Sequence, residues 1–427
     1  MSERRSIAAS ALVLLAGLTT GACIAGSLSP PGVGSIVRAE SAVPPDPWSS
    51  TRRVPLRISD LDGRVSVALE SGGERVELWR QGSAVDGSDL RRAPFHVLEP
   101  ARGSDGWRIN GRLYPGPLCV EPAPNGGLRV TAWLDLEDYV EGVVAAEVVL
   151  WSAPPALLEA QAIAARSYAV ASLADRARRG RPTLIDGVLD QAYRGTFEPD
   201  AAARNRGIDQ RLRAAIDSTR GQVLSVARRV VDARFHGACG GSTASFVDVF
   251  GAPVAPAQLP RPCIGCSTDA AAAIAALSRG AAELPPGTSD LYWAYTATPA
   301  ELGALAAKAG VGAQLRFLEP SRVDATGRWL GVALVGDRGR SEMSMVDLRR
   351  QIGWSKVKSG RIHSTWPRSG SSITGGMRLD GFGSGHGVGL CQRGARDLAD
   401  DGWTSRRILA HYYAGASIAD LSALDPL

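Results

Sequence analysis

Four stretches of this 427-residue chain combine residue types that can do chemistry. The first, residues 134–147, carries Asp135, Glu137, Asp138, Glu141 and Glu147 in one helical run. Glu137 and Asp138 fall in its first turn, where the positive end of a helix favours carboxylates, and read as capping charges. Glu147 differs. It closes the run among Val143, Val144, Val148 and Val149, just before a break at 151–155. The negative end of the dipole and a dry surround both disfavour its charged form, so its pKa should rise. A general acid needs that setting. Spacing alone leaves a solvated glutamate as the ordinary alternative.

The second stretch, 161–168, sets Arg166 and Tyr168 among closely spaced alanines. Arg166 is there either a solvated side chain or a held charge partner. The third is His236-x-x-Cys239, a 23-residue gap, then Cys263-x-x-Cys266. Two chelating pairs with ligands three apart suit a tetrahedral nitrogen/sulfur zinc site, and four protein ligands would make it structural. One or two disulfides are the alternative outside the cytoplasm. His236 is the weakest of the four ligands, with facing a substrate as its other option. The fourth stretch, 383–395, is dense in glycine and displays His386 and Gln392. It lacks the Gly-Lys-Ser/Thr of a phosphate loop and the glycine spacing of a dinucleotide site.

The elements that must hold these residues change character along the chain. From 54 to 130 the pattern alternates, with strands expected at 54–58, 65–68, 76–79, 107–109 and 128–132 and turns at Asp62-Gly63, Asp86-Gly87 and Asn125-Gly126-Gly127. Then the period becomes helical. Asp135 caps a helix through Glu147, Pro154-Pro155 starts another, and the second runs from about 156 to 179 before Gly180. A polar helix is expected at 201–219, strands at 222–225 and 230–235, and helices at 270–278 and 299–307. A hairpin follows at 316–323 and 328–335, a helix at 344–352, a strand at 360–365 and a final helix at 404–413. The fold class is α+β: a β-rich lobe, a central helical hairpin carrying the candidate acid, mixed sheets, and a C-terminal glycine-rich loop with a helix.

Composition narrows the function. The apolar share of 44% is that of a soluble globular protein, and six cysteines are too dilute for a disulfide scaffold. The net charge of +5 is carried by Arg, with Lys only at 308, 356 and 358, and the arginines lie scattered among acids. Nucleic-acid binding would need clustered cations with stacking aromatics, so it is not expected. The N-terminus reads as an export signal: Arg4 and Arg5, an apolar stretch from 7 to 18, then small residues before Cys23. Lipidation of Cys23, ordinary cleavage and a retained anchor are the three outcomes, and each puts the mature chain outside the cytoplasm. Residues 24–52 read as a Pro/Ser/Gly-rich tether and 53–420 as one elaborated unit with an α/β subregion at about 270–365.

Taken in order, 136–147 with 161–168, Asp190-Gln191-Ala192-Tyr193-Arg194-Gly195, 236–243, and 385–395 continuing into 408–415 resemble the stage II sporulation protein D / amidase-enhancer family of bacterial cell-wall proteins. The resemblance spans about 54 to 418. It implies a lytic transglycosylase acting on peptide-stripped peptidoglycan, with Glu147 as the catalytic acid. The family pattern has Met-Pro after this acid, where this chain has Val148-Val149. It also implies zinc in the His/Cys region. Arg166, Tyr168, Tyr193, His386 and Gln392 are then candidates for orienting the sugars. A cation beside Glu147 would lower its pKa, so Arg166 is expected to meet substrate or a structural carboxylate. Two rival readings are a non-catalytic activator of a cell-wall amidase, and a hydrolase using Asp138, Glu141 or Asp190 as second acid. Cys119 and Cys391 are left over as a disulfide or two buried thiols.

Overall fold

The change of period at Asp135 is the pivot of the molecule. The computed structural model describes residues 38–39, 53–88, 90–180, 182–251, 258–279, 283–288, 290–367, 372–373 and 375–424. The export signal and Cys23 lie outside these residues.

The alternating segments before the pivot supply all but one strand of two six-stranded sheets. One is antiparallel, ordered Leu90–Ala93, Ala84–Gly87, Glu74–Gln81, Ser66–Ser71, Trp107–Ile109, Arg112–Tyr114. In Ser66–Ser71 every second residue is buried, as a strand with one wet face requires. The other sheet is mixed. Leu128–Asp135 pairs antiparallel with Leu118–Pro122 and Arg53–Arg57, and Leu184–Ile185 joins Arg53–Arg57 in parallel.

Leu128–Asp135 runs directly into helix α1, Leu136–Glu147, whose first turn is tied by the Asp135 carboxylate accepting the Glu137 N–H at 2.8 Å. Helix α2, Pro155–Arg178, follows with proline at its first turn. Val140, Val143 and Val144 of α1 and Ala160, Ala162, Ala164, Ala165 and Ala169 of α2 have no exposed surface. Small side chains let α1 and the helices Ile208–Ser218, Gln392–Asp400 and Ser405–Tyr412 all approach α2. A helix surrounded on every side is apolar on every side, and its polar residues need internal partners. Ser167 meets that demand: its hydroxyl donates to the Ile163 carbonyl at 2.6 Å and accepts the Leu224 N–H at 2.8 Å.

Several expected elements are redrawn by packing. The helix at 201–219 is two, Ala201–Asn205 and Ile208–Ser218, separated at Gly207. The strand at 230–235 splits: Arg229–Val230 pairs with Gln222–Val226, whereas Phe235–His236 pairs in parallel with Leu390–Cys391. That second pairing joins the His236 stretch to the glycine-rich stretch across more than 150 residues. The helix expected at 270–278 starts earlier, at Ile264, so that Cys263 caps it and Cys266 lies in its first turn. Part of the glycine-rich stretch is itself a helix, Gln392–Asp400.

The α/β subregion has its own core, including Trp293, Leu302, Leu305, Val332, Leu348 and Leu379. It runs later than expected, because Met377–Phe382 returns to pair with Tyr292–Ala297 and Ile362–Trp366. A second sheet, Leu315–Val323, Trp329–Gly336 and Arg340–Ser344, carries the helix Met345–Ile352. Helices packed with largely antiparallel sheets make the fold α+β, as the sequence pattern indicates.

Candidate active site

Helix α1 delivers Glu147 to the wall of a cleft of ≈ 430 Å³, a size typical of small-ligand sites. Burial holds the Glu147 carboxyl above the usual carboxylate range. Three weaker effects oppose it: the Ala192 N–H donates to Oε1 at 2.7 Å, the Gln392 side chain hydrogen-bonds it, and Arg194 attracts its charge. Gln392 is in turn oriented by Gln161 of α2, its Nε2 donating to Oε1 at 3.4 Å. The family-derived candidate Gln392 therefore touches the candidate acid.

Among the described residues Asp190 is the other carboxylate lining this cleft. Its side chain has no exposed surface and is fully engaged. Arg176 pairs with it, the Tyr168 hydroxyl donates to it at 2.7 Å, and the Ile185 N–H donates at 2.8 Å. Tyr168 thus lines the cleft with its hydroxyl bound to Asp190, and burial raises its own pKa. Asp138 and Glu141 do not line the cleft.

The opposite wall comes from the glycine-rich loop and the α/β subregion. His236 and His386 face each other there, with ring centroids 5.7 Å apart. One residue sets both tautomers. His236 Nδ1–H donates to the Val388 carbonyl at 3.1 Å, and the Val388 N–H donates to His386 Nδ1 at 3.0 Å. Neutral His236 therefore keeps a bare Nε2, which is buried without a partner, while neutral His386 carries its proton on Nε2. Burial lowers both pKa values, that of His236 to about 3, so both rings are neutral at pH 7. Gly385 permits this pairing of loops: it has φ +102°, and a Cβ there would lie 2.6 Å from His236 Cβ.

Two candidates for sugar contact are placed elsewhere. Tyr193 is 2% exposed and stacks on Tyr139 with centroids 5.6 Å apart; it is core, not cleft. Arg166 is fully buried. Its Nε and Nη2 donate to the two oxygens of Glu137 at 3.0 and 2.6 Å, and Nη1 donates to the Gln222 carbonyl at 3.0 Å. Of the two expected partners the structural carboxylate holds, and Glu137 is more than a capping charge: it ties α1 to α2 and accepts the Gly221 N–H. Glu137→Ala should cost roughly 3–5 kcal/mol by leaving a buried guanidinium unpaired, and the double change Glu137→Leu/Arg166→Met should recover much of it. Urea unfolding of both variants reads this; a loss below about 1 kcal/mol in the single variant would refute it.

The zinc-type ligand set is corrected at one position. Cys239, Cys263, Cys266 and Cys391 are buried free thiols, and their Sγ atoms all lie within 4.8 Å of one another, a cluster able to hold a metal ion. The fourth member is Cys391, not His236. Phe235–His236 pairs with Leu390–Cys391 at the border between cluster and cleft; Cys391 joins the thiols and the His236 ring lines the cleft. Backbone N–H groups of Cys239 and Gly394 point at Cys391 Sγ at 3.3 and 3.4 Å, and that of Gly241 at Cys239 Sγ at 3.4 Å. Bonds among the thiols lower the pKa of Cys263 and Cys266 and raise that of Cys239, while burial raises that of Cys391. Cys119 is disulfide-bonded, so it is neither a free thiol nor the partner of Cys391.

Cleft residues that spacing did not reveal are Arg234, Arg349 and Trp354. Arg234 lies over the rings of Tyr168 and Phe250 at 4.8 and 5.0 Å and pairs with Asp232. Arg349 and Trp354 come from the α/β subregion, where no local motif marks them.

Residues 124–225, which hold α1, α2 and the Asp190 segment, match the family described as Stage II sporulation protein. Across 351 residues the chain is 26% identical to Stage II sporulation protein D of Bacillus amyloliquefaciens, covering 79% of this chain and 89% of that protein. The protein of the same name in Bacillus subtilis is 26% identical over 302 residues, 68% of this chain and 76% of the relative. An uncharacterized protein of Brachyspira hyodysenteriae is 28% identical over 329 residues, 75% of this chain and 76% of the other. Among the described residues no helix is long and apolar enough to cross a membrane. The order of motifs, the matched segment and the breadth of these likenesses agree: residues 124–225 carry the Stage II sporulation protein match, and the chain is similar to stage II sporulation protein D across most of its length.

Proposed function

We propose that the protein is an exported cell-wall enzyme, a lytic transglycosylase cleaving the N-acetylmuramic acid–N-acetylglucosamine bond of peptide-stripped peptidoglycan. The observation that carries this reading is the pairing of carboxylates in the cleft. Glu147 is desolvated and, among the described residues, forms no salt bridge, with Arg194 acting on it only weakly, whereas Asp190 is committed to Arg176. Most glycosidases need two available carboxylates. A transglycosylase needs one.

Glu147, protonated, gives its proton to the bridging oxygen as the bond to the anomeric carbon breaks. The muramic sugar's own 6-hydroxyl attacks that carbon, and its proton passes to the Glu147 carboxylate. The products are a 1,6-anhydro end and a free 4-hydroxyl, with no water consumed. Gln392 and the Ala192 N–H steady the carboxylate between the two proton transfers. The neutral histidines offer one acceptor and one donor toward the sugars. Tyr168 and Arg234 line the same cleft.

The metal in this reading is zinc. A regular tetrahedron of sulfurs at the usual zinc–sulfur distance of about 2.3 Å has edges of about 3.8 Å, and Cys266 Sγ and Cys391 Sγ are 3.8 Å apart. Four thiolates close the coordination shell, so zinc would hold the fold together and leave the proton chemistry to Glu147. The charged head, apolar stretch and small residues before Cys23 support export.

Digestion of purified peptide-free glycan tests the reaction. Mass spectrometry should find anhydro ends and no incorporation of ¹⁸O from labelled water. Reducing ends carrying ¹⁸O would make it a hydrolase. No cleavage, with stimulation of an added cell-wall amidase, would make it an activator.

A further inference from the structure

A second cavity lies beside the Glu147 cleft and shares Val346, Arg349, Gly385 and His386 with it. It holds ≈ 20 Å³, room for one water-sized or halide-sized ligand. Arg328 completes its polar lining, and among the described residues no carboxylate lines it.

Both arginines are buried, at 2% and 6% exposure. Arg328 donates from Nη2 to the Cys239 and Ser242 carbonyls at 2.6 and 3.2 Å, while its Nε and Nη1 are buried without partners. Arg349 donates from Nε and Nη2 to the Val357 and Lys358 carbonyls at 2.9 and 2.7 Å. Carbonyls satisfy hydrogen bonds but do not neutralise charge, and a guanidinium stays protonated in proteins. Cys239, Asp324 and Cys391 act on the Arg328 charge from a distance, Arg361 opposes them, and Asp324 Oδ1 is held by Thr326 and by the Arg328 backbone N–H, so none of these groups lies in the cavity itself. The charge that bears on Arg349 is the like charge of Arg328. Among the described residues Arg349 has no such negative neighbour, and two buried cations bordering one small cavity are costly without an anion between them. A water molecule would fill the space and leave the charge.

We infer that this cavity is an anion site that takes one monovalent anion, a halide or an oxygen of a carboxylate, between Arg328, Arg349 and the Nε2–H of His386. The glycine-rich loop is shaped for it. Gly387 has φ +88°, and a Cβ there would lie 2.7 Å from Arg328 Cζ, so the loop closes directly over the guanidinium. The site's position beside the cleft gives it two sources of ligand: a resident halide, or the free carboxylate of a muramic residue whose peptide is gone. Only the second source rests on the glycan reading above.

Crystals of the full chain soaked in bromide test the site directly. Anomalous density between Arg328 and Arg349 is expected. In solution, halide should raise the unfolding midpoint saturably at fixed ionic strength when it replaces gluconate, which is too large to enter. Arg349→Met should abolish the halide dependence and Arg349→Lys should retain part of it. Loss of the bromide peak with N-acetylmuramic acid but not with N-acetylglucosamine would assign the site to the substrate carboxylate. Persistence with both would make it a resident halide site. Absence of bromide density together with no halide-specific shift would overturn the inference, leaving an ordered water. Failure of the transglycosylase assay would leave the bromide result standing, so the two readings fail separately.

Discussion

Glu147→Gln should abolish glycan cleavage, with a fall in kcat of at least about 10³-fold and little change in unfolding midpoint. Glutamine keeps the size and can still meet the Ala192 N–H through its carbonyl, but it carries no transferable proton. One general acid or base is worth roughly 10²–10⁴-fold, and here one residue serves as both. The pH profile gives an independent check. Burial raises the pKa of Glu147, so the protonated, active form persists above the ordinary glutamic acid range and activity falls as pH climbs through that raised value. Gln392 hydrogen-bonds the carboxylate and favours its charged form. Gln392→Met should therefore move the falling limb to higher pH while weakening the control of geometry. A Glu147→Gln enzyme retaining more than a tenth of the wild-type rate would shift the acid role to another residue. An unmoved limb in Gln392→Met would remove Gln392 from that role.

Metal removal should have the second large effect, on the fold. The four thiols join segments far apart in sequence: Cys239 after the strand Phe235–His236, Cys263 and Cys266 at the start of Ile264–Ser278, and Cys391 at the cap of Gln392–Asp400. Binding energy of a structural zinc is folding energy, because the site does not exist in the unfolded chain. A strong chelator should release one equivalent of zinc and lower the unfolding midpoint by roughly 10 °C or more. Cys391→Ser should be purified with well under one equivalent. His236→Ala should keep the full equivalent and lose activity instead. The opposite pattern, zinc kept in Cys391→Ser and lost in His236→Ala, would restore the histidine as ligand. The loss should reach catalysis too, since Gln392 follows Cys391 directly and its helix positions the amide that steadies Glu147.

How far these sites could be read in advance depended on how local their causes are. The α1–α2 hairpin was legible because its signals are local: an aspartate that caps, a proline that suits a first turn, alanines that permit close packing. Glu147 stands out for a reason the fold bears out, a buried carboxylate closing an apolar helix end. His236 stands outside the thiol cluster for an equally physical reason. H-x-x-C spacing resembles chelation in one dimension, yet parallel pairing with Leu390–Cys391 lets Cys391 complete the thiol cluster while the His236 ring lines the cleft. Tyr193 and Arg166 fit the family pattern but serve packing and a buried ion pair. The shifted bounds of the α/β subregion follow from a long-range strand, Met377–Phe382, whose partner lies some eighty residues earlier.

The sequence by itself determined the class of fold and marked the candidate acid, because capping, helix ends and alternation act over a few residues. Only the tertiary structure decided which thiols cluster, which carboxylate in the cleft is committed to an arginine, and where two buried arginines border one small cavity. Those are properties of distance and dielectric between segments remote in the chain, and no local spacing encodes them.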